Sequence, residues 1–470
     1  MTKTVKLKLL IYLLVSAVSF PILILPGNAG VSVPVFMCIQ FVCMCFLAPE
    51  KKPLLTFVPL FILAFNSFIS ANHIWRLSNF VVSVVFYSVM TLWMTGRFSV
   101  KGSLTGFLFK TLANITKPFF HFTKPILWCA ESHKTHMRTI TRVVIGICIS
   151  IPCLIFLFIM LSSADEIFSH AVSNTLLRIV MYIRPDAAVK ALAGILAGFY
   201  LFGLLYNVYV VEFGNTEVTG QKTRKGDLII LNIVHVSILL IYTLFVIIQF
   251  KYLFASAGNL PYGLTFVTYA RRGFFELMFL TGVNIAFILL TVWLTKDQSG
   301  GGAKLTKILS LYLCAVTVVL LVSSFYRMWL YNYDDGLTRL RFLVFGFLIF
   351  QAIGLAATFI YIIKPRFNIL AIYCAIAVTY YLLLNVVPMD AIVARSQINR
   401  YFETGRGGID YVLTLSPDAG PQIARLLESN DANTIARARA YYETKDSSLS
   451  GAYRWRQWNL SIDRLLRYVN

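Results

Sequence analysis

The chain has 470 residues, of which 58% are apolar and 13% are charged, whereas a soluble domain has about 25% charged residues. The mean hydropathy is +0.73, and the apolar residues form unbroken runs long enough to cross a bilayer. This composition excludes a disordered chain, a coiled coil and a soluble globular enzyme. A transmembrane β-barrel would instead show alternating segments of about ten residues. We therefore predict an all-α, polytopic helical membrane protein.

The net charge is +21, from 42 Lys and Arg against 21 Asp and Glu. In a soluble protein this excess would favour a nucleic-acid partner. In a membrane protein it is typical of basic loops that anchor and orient helices, so we expect the lipid bilayer as partner and no nucleic acid. Seven of the eight cysteines fall in apolar segments, and none falls in a segment predicted outside. No disulfide framework is therefore implied.

About eleven apolar spans are predicted in chain order. The first is interpreted as a retained helix rather than a removed signal peptide, because no small-residue cleavage site follows it. The second and fourth are short, and the second is the least certain span. The predicted spans are Leu9–Leu25, Val33–Ala48, Leu54–Ala71, Phe80–Met94, Val143–Leu161, Ala191–Val211, Leu228–Phe250, Phe274–Leu294, Ile308–Ser323, Phe342–Ile363 and Asn368–Val386.

Two regions follow from this pattern. Residues 1–387 are predicted to form the transmembrane helical domain, and residues 388–470 a C-terminal soluble helical region in which charged residues return. Ser416 precedes Pro417, which is typical of a helix N-cap followed by proline at the first helical position. Further helices are predicted over Asp431–Lys445 and Tyr453–Val469. The C-terminal region is too short for us to expect a rich core of its own.

The distribution of basic residues predicts the orientation, since cytoplasmic loops carry excess Lys and Arg. With the N-terminus inside, cytoplasmic segments hold 21 basic residues, outer loops ten and the C-terminal region 11. The largest contribution comes from the loop Thr95–Arg142, in which Lys110, Lys117 and Lys124 recur every seven residues. This loop is interpreted either as short interfacial helices lying on anionic lipid or as a specific lipid-headgroup site. The odd number of spans places the C-terminus outside.

Acids, arginines and tyrosines meet at the predicted outer ends of three spans. Glu276 is the only acid inside a span, and Tyr269, Arg272 and Glu276 have the spacing of one helix face; they form a structural ion pair or a functional site. Asp334 and Asp335 are expected either to hold a divalent metal or, as we favour, to cap the next helix and form salt bridges. The candidate outer-face polar cluster consists of Asp165, Glu166, Tyr269, Arg271, Arg272, Glu276, Asp334, Asp335, Arg339 and Arg341.

Five strings of residues resemble a known family. They are Tyr269–Leu277, Gly336–Arg341, Asp390–Arg395, Ile398–Tyr401 and Trp455–Ser461. Together they are similar to a family of polytopic bacterial membrane proteins known only as a domain of unknown function. The similarity covers most of the chain from the fifth span onward. Gln397 departs from the family, in which asparagine is expected. The resemblance implies a bacterial plasma membrane and supplies no activity and no catalytic residue.

The sequence contains no nucleophile elbow, Walker motif or zinc-protease motif. We therefore assign no catalytic residue, metal or cofactor. The leading hypothesis is a non-enzymatic plasma-membrane protein that acts in envelope sensing, scaffolding or regulation through an outward-facing polar pocket. A transporter of a small solute and a lipid-processing membrane enzyme are the alternatives. The ligand and the protein partner are left open.

Overall fold

The computed structural model describes residues 1–25, 30–49, 51–95, 104–130, 185–210, 226–253, 274–295, 298–365, 368–449 and 455–468, and most of them are helical. No strand occurs among these residues, which confirms the predicted all-α class. The chain divides into two compact units. Unit 1 comprises Met1–Ile69, Ile74–Phe213 and Tyr453–Asn459, and unit 2 comprises Ser70–His73, Gly214–Ala452 and Leu460–Asn470.

The first seven α-helices described in the chain belong to unit 1. Short 3-10 helices precede α3 and join α5 to α6. The α-helices are α1 Lys3–Leu23, α2 Ser32–Leu47, α3 Phe57–Ile69, α4 His73–Met94, α5 Leu104–Thr116, α6 Thr123–Ala130 and α7 Pro185–Val210.

Helices α1 and α7 approach each other closely through small residues. A Cβ atom at Gly198 would lie 2.7 Å from the Cβ atom of Ala17, so only glycine fits there. Small residues at such crossings let helix backbones pack tightly within a membrane. Leu9, Tyr12 and Phe202 are fully buried in the core that surrounds this contact.

The basic segment after α4 packs on α7 through aromatic rings. The ring centroids of Phe119 and Tyr200 lie 5.3 Å apart, and those of Phe122 and Phe199 lie 5.6 Å apart. Such pairs add specific contact energy to the burial of the rings. The short helices predicted in this segment are therefore present as α5, a 3-10 turn and α6, and they contact protein on one side.

The remaining helices belong to unit 2. The membrane part ends with α12, and the C-terminal region begins with α13. The α-helices are α8 Leu228–Leu253, α9 Phe274–Thr295, α10 Gly301–Asp335, α11 Arg339–Ile363, α12 Ile369–Val386, α13 Met389–Thr404, α14 Ile409–Val412, α15 Gly420–Ile423, α16 Ala432–Leu449 and α17 Leu460–Leu466.

Polar side chains join α8 and α10 inside unit 2. The Thr306 hydroxyl donates to the Asn232 Oδ1 at 2.7 Å. One turn further along, Nε2 of the buried His235 lies 3.3 Å from the Ser310 hydroxyl. Hydrogen bonds of this kind hold membrane helices together, because lipid offers polar groups no alternative partner.

Nine of the described helices are long and apolar enough to cross a membrane. One of the nine is the 18-residue stretch Lys52–Ile69, in which a 3-10 helix continues directly into α3. Ten of the eleven predicted spans coincide with described helices, and α2, which has 16 residues, is shorter than the nine stretches. The predicted span Val143–Leu161 lies outside the described residues. The protein is therefore an all-α, multi-pass membrane protein, as predicted.

The C-terminal region buries more apolar surface than the sequence led us to expect. Val393, Ile398, Leu415, Ile423 and Leu465 are all completely buried. These residues come from α13, α15, α17 and the turn after α14, and the Leu465 side chain lies against Gly420. A long final helix over Tyr453–Val469 is not formed; a 3-10 turn at Trp455–Gln457 and the short helix α17 stand in its place among the described residues.

Candidate functional site

The C-terminal region of unit 2 is tied to the start of α11 by a buried carboxylate, Asp390. Arg339 donates to it twice, from Nε at 2.6 Å and from Nη2 at 2.5 Å. The Asp390 side chain is completely buried, and 26% of the Arg339 side chain is exposed. Bidentate Arg–carboxylate pairs combine charge with fixed geometry. This pair therefore holds the first turn of α13 against the first residue of α11.

Two further segments donate to the same carboxylate. Ser416 donates from its backbone N–H at 3.1 Å and from its hydroxyl at 2.5 Å. Asn72, which precedes α4, donates from its amide nitrogen at 3.3 Å. We call the four residues Asn72, Arg339, Asp390 and Ser416 the tail junction. Buried charges need several partners to offset lost hydration, and here the donors come from three separate segments.

A second carboxylate next to the tail junction reinforces it. Asp418 accepts the Ser70 hydroxyl at 2.5 Å and the Ala71 backbone N–H at 2.8 Å. The short segment Ser70–Asn72 is therefore bound by two acids of the C-terminal region. Its contacts join residues more than 300 positions apart in the chain.

The end of α10 forms its own polar arrangement beside the tail junction. Arg341 donates to the Asp335 carboxylate at 3.0 Å and to the backbone carbonyl of Gly336. Its guanidinium group lies 3.7 Å from the ring centroid of Tyr331, which is a cation–π contact. Asp335 is thus the partner of a nearly buried arginine. Asp334 is the penultimate residue of α10.

Gln397 fastens the turn between α10 and α11 to the C-terminal region. Its amide nitrogen donates to the Leu337 carbonyl at 2.9 Å, and its Oε1 accepts the Gly408 N–H at 3.1 Å. Gly336 has a φ of 77°, and a Cβ atom there would lie 2.7 Å from the Gln397 amide nitrogen. Gln397, the residue that departs from the resemblance, therefore packs against a turn at which only glycine fits.

Helix α11 begins inside this arrangement. The Thr338 hydroxyl accepts the Arg341 N–H at 3.4 Å, and the Tyr411 hydroxyl accepts the Arg339 N–H at 2.8 Å. Unpaired N–H groups of a first helical turn are thereby satisfied. The hydroxyl of Thr338, rather than Asp335, caps this helix, and Asp335 pairs with Arg341.

The predicted cluster is only partly described by the structure. Asp335, Arg339 and Arg341 lie together as set out above. Glu276 lies in the first turn of α9 with its side chain exposed. Asp165, Glu166, Tyr269, Arg271 and Arg272 lie outside the described residues. A contact between span eight and the turn before α11 therefore stays a prediction.

Sequence reasoning missed Asp390, Asn72 and Ser416 as site residues. Asp390 carried a signal, since an acid follows the last span directly, but nothing local indicates a partner 51 positions earlier. Ser416 does precede a helical turn, as predicted, yet its hydroxyl makes no cap and donates to Asp390 instead. Where the structure describes the chain, no three His, Cys, Asp or Glu side chains come together as metal ligands.

The fold and the site define a polytopic helical membrane protein whose C-terminal helical region contacts the start of α11. Over residues 55–426 the chain matches the family described as "Domain of unknown function (DUF4153)", and it belongs to that family. The match begins in the third predicted span, earlier than the resemblance indicated, and ends before Trp455–Ser461. Comparisons with curated proteins and with solved structures found no match.

Proposed function

We propose that the protein acts without catalysis in envelope sensing, scaffolding or regulation in the bacterial plasma membrane. In this proposal the N-terminus is cytoplasmic and the C-terminal region is extracytoplasmic. In this proposal the C-terminal region binds the signal molecule or the partner protein. The tail junction couples any movement of that region to α11. The basic segment Thr95–Arg142 binds anionic lipid on the cytoplasmic side.

One observation carries the proposal: Asp390 is buried and accepts hydrogen bonds from Arg339, Ser416 and Asn72, which come from three separate segments. A carboxylate held by donors from several segments fixes the positions of those segments relative to one another. Buried ion pairs add little net stability, but they favour one arrangement over others when that arrangement alone satisfies both charges. A partner that binds the C-terminal region more tightly in one arrangement would therefore shift α11 as well.

The proposed orientation is supported by the hydrogen bond between Asn72 and Asp390. Eight predicted spans separate these residues, counting Val143–Leu161, and an even number returns the chain to the same side of the membrane. The excess of basic residues in the other loops makes that side the outer one. A reporter active only in the cytoplasm, fused after Asn470, should be inactive, whereas one placed in the Thr95–Arg142 loop should be active. The reverse pattern would refute the orientation.

The functional test is complementation of a deletion strain under envelope stress. We expect deletion to raise sensitivity to detergent, chelator or hyperosmotic shock, and the wild-type gene to restore resistance. Asp390→Asn should fail to restore it at equal membrane abundance. Asp463→Asn is the matched control, because it removes an acid of the same region whose partner Arg467 is largely exposed. A deletion strain with unchanged tolerance, or full rescue by Asp390→Asn, would overturn the proposal.

A further inference from the structure

Unit 1 contains a cavity of about 590 Å³ among α1 to α4, the aromatic segment around Phe119, and α7. Ligand sites in proteins typically measure about 300–1,000 Å³. The space is therefore large enough for a ligand and far exceeds the volume of a trapped water. Every residue that lines it belongs to unit 1.

The cavity follows one face of α4 for several turns. Arg76, Asn79, Ser83 and Tyr87 line it at intervals of three or four residues, as expected for one face of a helix. From Arg76 to Tyr87 the helix rises about 16 Å at 1.5 Å per residue. The hydrocarbon core of a bilayer is about 30 Å thick, so the cavity has the depth of one leaflet.

Charge is confined to one end of the cavity. Arg76, in the first turn of α4, is the only charged residue among the described residues that line the space. Asn79 and Ser67 also line it and add polar groups near the same ends of α3 and α4. An arginine near the end of a membrane helix attracts anionic lipid headgroups, and its planar donor group matches phosphate oxygens.

The far end of the cavity is closed by polar groups that satisfy one another. The Gln40 Oε1 accepts the Tyr12 hydroxyl at 2.7 Å and the Tyr87 hydroxyl at 3.2 Å. The Gln40 amide nitrogen donates to the Ser16 hydroxyl at 3.3 Å. Because these groups hydrogen-bond to one another, a ligand does not need to supply them with polar partners. Between the two ends the wall is formed mainly by apolar side chains such as Phe36, Leu63 and Leu196.

We propose that this cavity binds an anionic membrane phospholipid, with its negatively charged headgroup at Arg76 and one acyl chain lying along α4 towards Gln40. A charged mouth, an apolar body and the depth of one leaflet together match an amphiphile. A water-soluble solute would leave the apolar wall without a partner, and burial of that wall by a chain is favourable in proportion to its area.

The experiment measures lipid retained by the purified full-length protein. Protein reconstituted in nanodiscs with equal amounts of phosphatidylglycerol and phosphatidylcholine is extracted gently, and bound lipids are counted by native mass spectrometry. We expect the wild type to retain phosphatidylglycerol preferentially. Arg76→Gln should lower that preference about tenfold or more, since a charge-assisted hydrogen bond is lost.

A second variant tests the body of the cavity. Ala197→Trp places a large side chain on the α7 wall and should abolish retention of either lipid. Val81→Trp on α4 is the matched control, because its side chain is 54% exposed and does not line the cavity; retention should equal that of the wild type. Gel-filtration profiles identify any variant that has not folded. The comparison of the two lipids on the wild-type protein does not depend on whether the variants fold. Equal retention of the two lipids by the wild type, or undiminished retention by folded Ala197→Trp, would overturn the proposal.

Discussion

Replacing Asp390 by asparagine removes one negative charge from the tail junction without changing the size of the side chain. The carboxylate now accepts from both Arg339 nitrogens and from Ser416 and Asn72. An asparagine has one oxygen and one NH₂ group. Whichever way the amide turns, its NH₂ faces a donor that the carboxylate accepted, so at least one charge-assisted hydrogen bond is lost.

The expected loss of folding free energy follows from the burial of the Arg339–Asp390 ion pair. Removing one partner of a buried ion pair costs about 3–5 kcal/mol, because the other charge stays behind unpaired. The exposed quarter of the Arg339 side chain allows water to reach the remaining charge. We therefore expect about 3 kcal/mol, the lower end of that range. The exposed Asp463–Arg467 pair is one turn apart on α17, and breaking it should cost about 0.3–0.5 kcal/mol.

Thermal unfolding and limited proteolysis in detergent measure this difference. Asp390→Asn should lower the Tm clearly and speed cleavage within the C-terminal region, while Asp463→Asn should do neither. The double variant Arg339→Gln, Asp390→Asn removes both charges and should recover part of the loss, as expected for coupled residues. Equal Tm values and cleavage rates for Asp390→Asn and Asp463→Asn would refute the inference that the tail junction holds the region in place.

Two further predictions concern the turn at Gly336 and the start of α16. Gly336→Ala should lower the Tm more than Gly405→Ala, because both glycines have positive φ but only Gly336 would press a Cβ atom on Gln397; equal losses would contradict the steric argument. Asp431 accepts the hydroxyl and N–H of Thr434 at the start of α16, and the hydroxyl bond contributes most to lowering the pKa of Asp431 below 3.8. Its stabilisation is therefore present above that pH and lost as pH falls through the folded pKa. Asp431→Ala should speed hydrogen exchange in α16 at neutral pH, with the difference vanishing in acid; a difference independent of pH would refute it.

The membrane helices were predictable because their signal is local. A run of apolar residues long enough to cross a bilayer satisfies its own backbone hydrogen bonds as a helix. Bounds differ from prediction chiefly at helix ends, where polar residues continue the helix beyond the apolar run. Helix α10 extends to Asp335 although the predicted span ends at Ser323, because Tyr331 and Arg341 pack together there.

The tail junction was not predictable in the same way, because its partners are brought together only by the tertiary fold. Ser416 illustrates the reason. Its position before Pro417 correctly indicated a helical turn, since proline starts such turns well. The acceptor of the Ser416 hydroxyl depends on which groups the tertiary fold brings near it. The Ser416 hydroxyl oxygen lies 2.5 Å from the Asp390 Oδ2. A charged acceptor binds a hydroxyl more strongly than a backbone partner does.

The same reasoning bears on how the polar residues at the ends of the spans should be interpreted. Acids and arginines grouped at a membrane surface suggest chemistry when only the sequence is known, because a lone charge near lipid needs a reason. In the described part of the cluster, Arg339 pairs with Asp390 and Arg341 with Asp335. Charges that neutralise one another in fixed geometry hold the helices that carry them in position. The apolar cavity in unit 1, with Arg76 as its charged lining residue, is where a ligand from the membrane itself would bind.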